Sequence, residues 1–336
     1  MIPSLDIVIV NWNTGVALSA CLRSIASARR DGFRLGRVVV VDNGSEDGSA
    51  CGLHIEGLPL AVVANRANRG FAAACNQGAQ RSEADYLLFL NPDTELFADS
   101  LAVPIEYLER PEAAAVGICG VRLVDGAGRP AVSCARFPTL KVLASEALGL
   151  SRVWPSRFPP HLGSPDECQS TREVDQIIGA FFLVRRRLFE TLGGFDERFF
   201  VYFEEVDFSL RARQLGFRSV CLAEVGACHH GGLSSGHVRA RRLFYSLRSR
   251  LQYGFKHYRR PAAWGLVAVT LGLEPFSRIG AAALRGSWRQ AADIATGYAL
   301  LAAEGWRMMT RRSAHGGSPT QAGGHRRAAE RDERHE

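Results

Sequence analysis

The sequence predicts an α/β fold: a doubly wound, mostly parallel sheet of Rossmann-like build, followed by a C-terminal helical segment. Three observations lead there. Strand and helix signals alternate from residue 5 to about 120, the rhythm of βαβ units. The strand-like runs at 7–10, 38–41 and 86–90 are continuous and apolar, as expected of strands covered on both faces. Acids stand at the ends of two of them: Asp42 directly, and Asp93 past a short turn. In an open parallel sheet, ligands bind at the carboxyl ends of the strands.

Taken in order, Ile7-Val8-Ile9-Val10 makes the first strand, and residues 17–28 a helix with Leu18, Leu22 and Ile25 on one face. Val38-Val39-Val40-Val41 is a β-branched second strand and Ala61-Val62-Val63 a short third. Residues 71–80 are a helix of small side chains. The fourth strand, Tyr86-Leu87-Leu88-Phe89-Leu90, must stop at Asn91-Pro92-Asp93-Thr94, because Pro92 fixes φ and lacks an N–H. Pro138, Pro155, Pro159, Pro160 and Pro165 then break the pattern. The stretch 130–170 therefore reads as a long insertion, either an active-site cover or disordered. Order resumes at 174–184. A helix follows at 186–192, closed by Gly193-Gly194, and another at 204–215, ending at Gly216.

The chain has 336 residues, 46% of them hydrophobic, which is enough for a large core. We expect one large α/β domain over 1–238, in two halves at 1–120 and 121–238. A basic, then apolar, helical segment should follow at 239–310, and a disordered tail at 311–336. The N-terminus carries no basic, signal-like region, so a cytoplasmic protein is expected. The eight cysteines form no C-x-x-C pair and read as reduced, mostly buried thiols. The net charge is +7, and no acid occurs between Glu224 and Glu274, whereas Arg239, Arg241, Arg242, Arg248, Arg250, Lys256, Arg259 and Arg260 do. Such a block fits an anionic partner or a solvated basic face. No nucleic-acid-binding module accompanies it, so nucleic acid is not the expected partner. Residues 262–306 are apolar and helical in pattern, interrupted at Glu274-Pro275. The longest uncharged piece, 262–273, is shorter than the roughly 20 residues a spanning helix needs, so a segment lying on the membrane surface is expected.

Several residue groups could do chemistry. Asp42 ends a strand before Asn43-Gly44-Ser45, where it can accept hydrogen bonds from a ligand or cap a turn. Asn65-Arg66-Ala67-Asn68-Arg69-Gly70-Phe71 leads into a helix with Asn76, an arrangement suited to a nucleotide or diphosphate. Asp93 is placed to hold a divalent cation or simply to shape its turn. Glu204, Glu205 and Asp207 crowd together among aromatics, which would raise a carboxyl pKa toward that of a useful base. Cys221, Cys228, His229 and His230 match no standard zinc spacing, and a single His joining an Asp-bound cation fits better. The phosphate-loop, dinucleotide and serine-hydrolase signatures are missing.

Together these stretches resemble the family 2 glycosyltransferases of the GT-A fold, and within them the rhamnosyltransferase-like branch. The matching pieces are Val8-Ile9-Val10-Asn11-Trp12-Asn13, Val41-Asp42-Asn43-Gly44-Ser45, and Asn68-Arg69-Gly70-Phe71 with Asn76-Gln77-Gly78. Phe89-Leu90-Asn91-Pro92-Asp93, Gly193-Gly194-Phe195-Asp196-Glu197 and Phe203-Glu204-Glu205-Val206-Asp207 with Arg211 follow in order, then His229 with Gly232 and Ser234.

The resemblance implies an inverting transfer of a sugar, L-rhamnose from dTDP-L-rhamnose, to a hydroxyl of a glycan or lipid-linked saccharide. UDP- or GDP-hexose donors are the alternative. A nucleotidyltransferase or a non-catalytic glycan-binding module is more distant. The resemblance also makes 1–238 the catalytic domain, with a nucleotide-sugar-binding half at 1–120 and an acceptor and catalytic half at 121–238, and it implies roles. Asp42 holds the nucleotide base; Asn11, Asn68, Gly70, Asn76 and Asn91 belong to the nucleotide-sugar site. Asp93 and His229 bind Mg²⁺ or Mn²⁺. Glu205 stands at the catalytic base, where the family more often has Asp, with Glu204 and Asp207 able to share the task. Asn91 replaces the first acid of an Asp-x-Asp, so the cation should arrive with the donor. The stretch 239–306 would hold the enzyme on the inner face of the cell membrane, and the insertion and the 229–240 loop would close over the site.

Overall fold

The computed structural model describes residues 2–231 and 239–315. In the N-terminal half β1 (Ser4–Asn11), α1 (Ala17–Ser27), β2 (Arg34–Asp42), β3 (Leu60–Ala64), α2 (Phe71–Ala79) and β4 (Tyr86–Leu90) alternate along the chain. The four strands pair in parallel in the order β3-β2-β1-β4. β1 and β4 are buried along their whole length, because helices cover both faces of the sheet. Leu18, Leu22 and Ile25 of α1 pack with Ile7, Ile9, Val38 and Val40. Ala72, Ala74 and Cys75 of α2 pack on the other face with Val8, Val10, Val39 and Val41. Alternate residues of each strand thus feed opposite layers.

β5 (Thr94–Leu96), α3 (Ala102–Glu109), β6 (Val116–Val124), β7 (Pro130–Ala131) and β8 (Cys134–Ala135) lead into the insertion helices α4 (Leu140–Ala147) and α5 (Leu150–Val153). β9 (Arg172–Val174), β10 (Gln176–Ile177), β11 (Phe181–Arg185), α6 (Arg186–Thr191), α7 (Glu204–Gln214) and β12 (Arg218–His229) follow. Here the sheet becomes mixed. β11 runs antiparallel between β4 and β6, while β12 runs parallel to β6 and antiparallel to β5. The apolar run at 174–184 is divided among β9, β10 and β11, which pair with different partners. Asp175 separates the first two, its carboxylate accepting from the Phe137 N–H at 3.0 Å and pairing with Arg213.

The insertion is ordered, which removes the disordered one of the two alternatives, because the C-terminal helices give it a surface to pack on. These are α8 (Arg239–His257), α9 (Arg260–Ala268), α10 (Glu274–Leu284) and α11 (Trp288–His315), with a π-helical turn at Val269–Leu273. Ser277 Oγ donates to the Ala147 carbonyl at 2.6 Å, and Tyr258 OH donates to that of Pro138. Glu274-Pro275 does not interrupt the apolar stretch. Residues 260–284 form one helix of 25 residues, long and apolar enough by length and composition to cross a membrane. The π turn just ahead of Pro275 accommodates its missing N–H. Glu274 turns inward, fully buried, and pairs with Arg250 and Arg278. α11 stays helical to His315, so helix extends into the expected tail; residues 316–336 lie outside the described residues.

Candidate active site

The carboxyl ends of β1 and β2 carry a lattice of amides. Asn11 is fully buried and donates through Nδ2 to Asp42 Oδ1 at 2.8 Å and Ser49 Oγ at 2.9 Å, while Thr14 donates to its Oδ1. Its polar atoms are used up inside the protein. Asn11 thereby orients Asp42 within the site expected for the nucleotide-sugar. Asp42 also accepts from the Ser45 N–H at 3.2 Å. Next to it, Asn43 donates to Asn68 Oδ1 at 3.0 Å and the Gly70 carbonyl at 3.1 Å. Its Oδ1 accepts from Asn65 Nδ2 at 3.2 Å and the Arg69 N–H at 3.1 Å. Asn68 in turn accepts from the Gly70 N–H at 2.9 Å.

Gly70 sits at φ +90°, and a Cβ there would lie 2.6 Å from the Phe200 carbonyl oxygen. Only glycine fits this crossing. The Phe71 N–H donates to that same oxygen at 2.6 Å, so the lattice is strapped directly to the loop that carries the acids. Asn76, also expected at the nucleotide-sugar site, ties two elements together. Its amide bonds the backbone of Phe195 in both directions, at 2.8 and 2.9 Å, tying α2 to the turn after Gly194.

At the end of β4, Asn91 is half-buried and Asp93 is 7% exposed. β12 pairs His229 opposite Thr94, which brings His229 Nε2 to 3.3 Å from Asp93 Oδ1. Sequence reasoning joined these two residues across more than a hundred positions, and the strand pairing supplies the contact. Gly232 and Ser234, and the loop expected to close over the site, lie outside the described residues beyond Gly231.

The acid cluster divides. Tyr202 and Phe203, just before α7, have φ of +67° and +70°, a region where bulky residues are strained by about 1–3 kcal/mol each. Surrounding packing holds them: Ser249 Oγ donates to the Val201 carbonyl at 2.8 Å, and Tyr253 packs against the Phe203 ring. The turn delivers Glu204 and Glu205 with both Oε2 atoms buried and no hydrogen-bond partner among the described residues. Burial pushes Glu205 up to about 6. Burial and then the neighbouring Glu205 charge push Glu204 well above the usual carboxyl range. Asp207 is the opposite. It is fully buried, yet His257 and Lys256, at 2.7 and 2.6 Å, and Arg211 at 2.7 Å outweigh that burial and hold it down at about 2. Such a carboxylate is a poor proton acceptor near neutral pH, and Asp207 anchors α7 to α8.

Sequence reasoning missed Asn43 as the hub of the lattice, although its motif was visible. It also missed Lys256 and His257. Their one signal was a lysine and a histidine closing a basic helix, some fifty positions from the acid they serve.

Comparison with known proteins agrees with this geometry. Residues 6–193 match the model described as glycosyl transferase family 2. The N-acetylglucosaminyl-diphospho-decaprenol L-rhamnosyltransferase of Mycobacterium tuberculosis is 30% identical over 257 residues, 72% of this chain and 81% of that protein. Rhamnosyltransferase WbbL of Escherichia coli K12 is 28% identical over 173 residues, 51% of this chain and 62% of its own. Among solved structures, the mannosyltransferase PcManGT of Pyrobaculum calidifontis, in complex with GDP-Man and Mn²⁺, is similar with a TM-score of 0.52 at 22% identity. That match covers 94% of this chain and 85% of that one, and at such identity it speaks for the fold alone. The GT-A architecture expected from the sequence is borne out.

Proposed function

The chain belongs to glycosyl transferase family 2 and is a glycosyltransferase, and from that premise we propose an inverting, metal-assisted transfer of L-rhamnose from dTDP-L-rhamnose to a hydroxyl of a lipid-linked glycan. The observation that carries the mechanism is the strained turn at Tyr202–Phe203, which leaves the Oε2 atoms of Glu204 and Glu205 buried and without a hydrogen-bond partner among the described residues. Glu205 takes the proton from the acceptor hydroxyl, whose oxygen attacks the anomeric carbon in line and inverts it. Glu204 sits beside it, its carboxyl pushed well above the usual range by burial and then by the Glu205 charge. Asp42 holds the nucleotide base, and Asn68, Gly70 and Asn91 line the donor pocket.

Asp93 and His229 offer one oxygen and one nitrogen 3.3 Å apart, a donor pair that fits Mg²⁺ or Mn²⁺. Among the described residues no group of three such side chains is assembled, so the donor's diphosphate would complete the site. When bound, the cation supplies positive charge to the departing nucleoside diphosphate. The choice of rhamnose is supported by the Mycobacterium tuberculosis and Escherichia coli relatives, both rhamnosyltransferases; UDP- or GDP-hexose is the alternative donor. The catalytic unit is 1–238. Residues 239–306 associate with the inner face of the cell membrane, where a lipid-linked acceptor is presented.

A thermal-shift and hydrolysis screen of nucleotide-sugars with Mg²⁺ and Mn²⁺ tests the donor. A ligand at a hundred times its Kd stabilises by about 2.7 kcal/mol, a clear rise in Tm. We expect that rise with dTDP-L-rhamnose. A larger one with UDP- or GDP-hexose would replace the donor and leave the mechanism standing.

A further inference from the structure

Resting on the membrane association proposed above, we infer that the helix of residues 260–284 lies flat on an anionic phospholipid surface, its face bearing Trp264, Phe276 and Leu284 inserted among the headgroups, without crossing the bilayer. The helix is inside out by the standards of a soluble protein. Trp264 is 62% exposed, Phe276 76% and Leu284 92%, and Trp288 follows at 74%. Positions 264, 268, 272, 276, 280 and 284 recur every four residues, and all are exposed and uncharged. A contiguous stripe of this kind marks an interaction surface. The one acid, Glu274, is turned to the inner face, where Arg250 and Arg278 hold it and Thr270 accepts from Arg250 at 2.9 Å.

Charge identifies the occupant. From residue 225 to 292 the chain has no acid except Glu274, and burial removes Glu274 from the surface. Arg259 and Arg260 are exposed at one end of the stripe, Arg285 and Arg289 at the other. An apolar band with cationic ends complements anionic headgroups, and tryptophans suit the interfacial layer. A second copy of the chain fits poorly, because two such faces would bring like charges together. The flat mode follows from the inner face. Ser277 is bonded to the insertion at Ala147, and Glu274 to Arg250 of α8. Crossing the bilayer would strip these contacts and leave an unpaired charge in hydrocarbon.

Flotation of the full chain tests this, with vesicles of phosphatidylcholine alone and with about 30% phosphatidylglycerol. We expect flotation with the anionic vesicles, weakened at high salt, and a blue shift of tryptophan emission. The variant Trp264→Ser/Phe276→Ser/Leu284→Ser should bind at least about tenfold more weakly with an unchanged Tm, since the side chains removed are exposed. Arg259→Glu/Arg260→Glu should lose affinity for the anionic vesicles, and equal binding by that variant would overturn the lipid class. Undiminished flotation of the triple variant would overturn the face while leaving membrane association intact. If the parent floats with neither vesicle, membrane association itself fails. Resistance of the membrane-bound chain to alkaline extraction would overturn the flat mode. A dimer abolished by the triple variant, with no vesicle binding, would make the occupant a second copy.

Discussion

The two loops that meet at Gly70 are built in opposite ways. On the donor side, Asn11 and Asn43 are almost fully buried and every side-chain polar atom of each is hydrogen-bonded within the protein. On the acid side, two consecutive bulky residues adopt left-handed backbone conformations, and two buried carboxylate oxygens have no partner among the described residues. The first loop is pre-organised: it can receive a ligand with little rearrangement. The second is a strained element held in place by its neighbours, as expected where geometry and proton affinity matter more than stability. On the proposed mechanism, the difference separates the residues that would shape the pocket from those that would react in it.

The sharpest way to break this contrast is Glu205→Gln. As the base, Glu205 should contribute about 10²–10⁴-fold, so transfer should fall by that factor while donor-induced thermal shift persists. Near-full turnover would sink its role, and a greater loss in Glu204→Gln would move the role one residue. The pH dependence has two opposed parts. The rate should fall as pH drops through about 6, where Glu205 becomes protonated. Stability should move the other way. The folded pKa of Glu205 lies above its unfolded value, so its contribution is fully present below the unfolded pKa of about 4.3 and is lost as pH rises through the folded value. Asp207, held at about 2, contributes in the opposite sense: present above the unfolded value and lost as pH falls toward 2. Melting curves of the parent and of Glu205→Gln across pH 5 to 8 check the sign, since the variant should lose the Glu205 part of the dependence.

A smaller effect is expected at the cation site. Asp93→Asn removes a charged ligand from a site with two protein donors, and transfer should fall by about 10²–10³-fold, in the range seen for loss of a group that stabilises developing charge. Titration calorimetry should find Mn²⁺ binding only in the presence of the donor. Tight binding of Mn²⁺ to the protein alone would mean that the cation site is complete before the donor arrives, and would blur the distinction between a waiting pocket and a substrate-assembled centre.

Much of the donor side was legible in the sequence because its determinants are local. The β-branched run ending at Asp42, the Pro92 stop after Leu90 and the small-residue helix after Gly70 each follow from propensity and periodicity within a few residues. The acid side was legible in composition and not in geometry. That Asp207 would be neutralised depends on Lys256 and His257, which only tertiary packing brings to it. The left-handed turn at Tyr202–Phe203 has no glycine to announce it, because packing against α8 imposes it. The helix across Glu274-Pro275 was missed for a related reason: its acid reads as a break until Arg250, on another helix, pairs with it.

The gentlest test of the contrast is made at Asn43. Asn43→Ala removes four hydrogen bonds and leaves the Asn68 and Gly70 acceptors and the Asn65 and Arg69 donors short of one partner each. A buried group losing its partner costs about 1–3 kcal/mol, so Tm should fall by several degrees. The pocket should loosen while the reacting groups stay in place, giving a several-fold rise in KM for the donor at nearly constant kcat. Asn43→Asp separates the two halves of the amide. It keeps an acceptor for Asn65 and Arg69 but turns a second carboxylate oxygen toward Asn68 Oδ1 and the Gly70 carbonyl, where a donor is required. The isosteric change should therefore destabilise more than the truncation. If Asn43→Asp is as stable as the parent, the lattice does not depend on this donor. If instead Asn43→Ala lowers kcat as strongly as Glu205→Gln, the division between a shaping loop and a reacting loop is wrong, because the strap from Gly70 to Phe200 would be transmitting the damage to the acids.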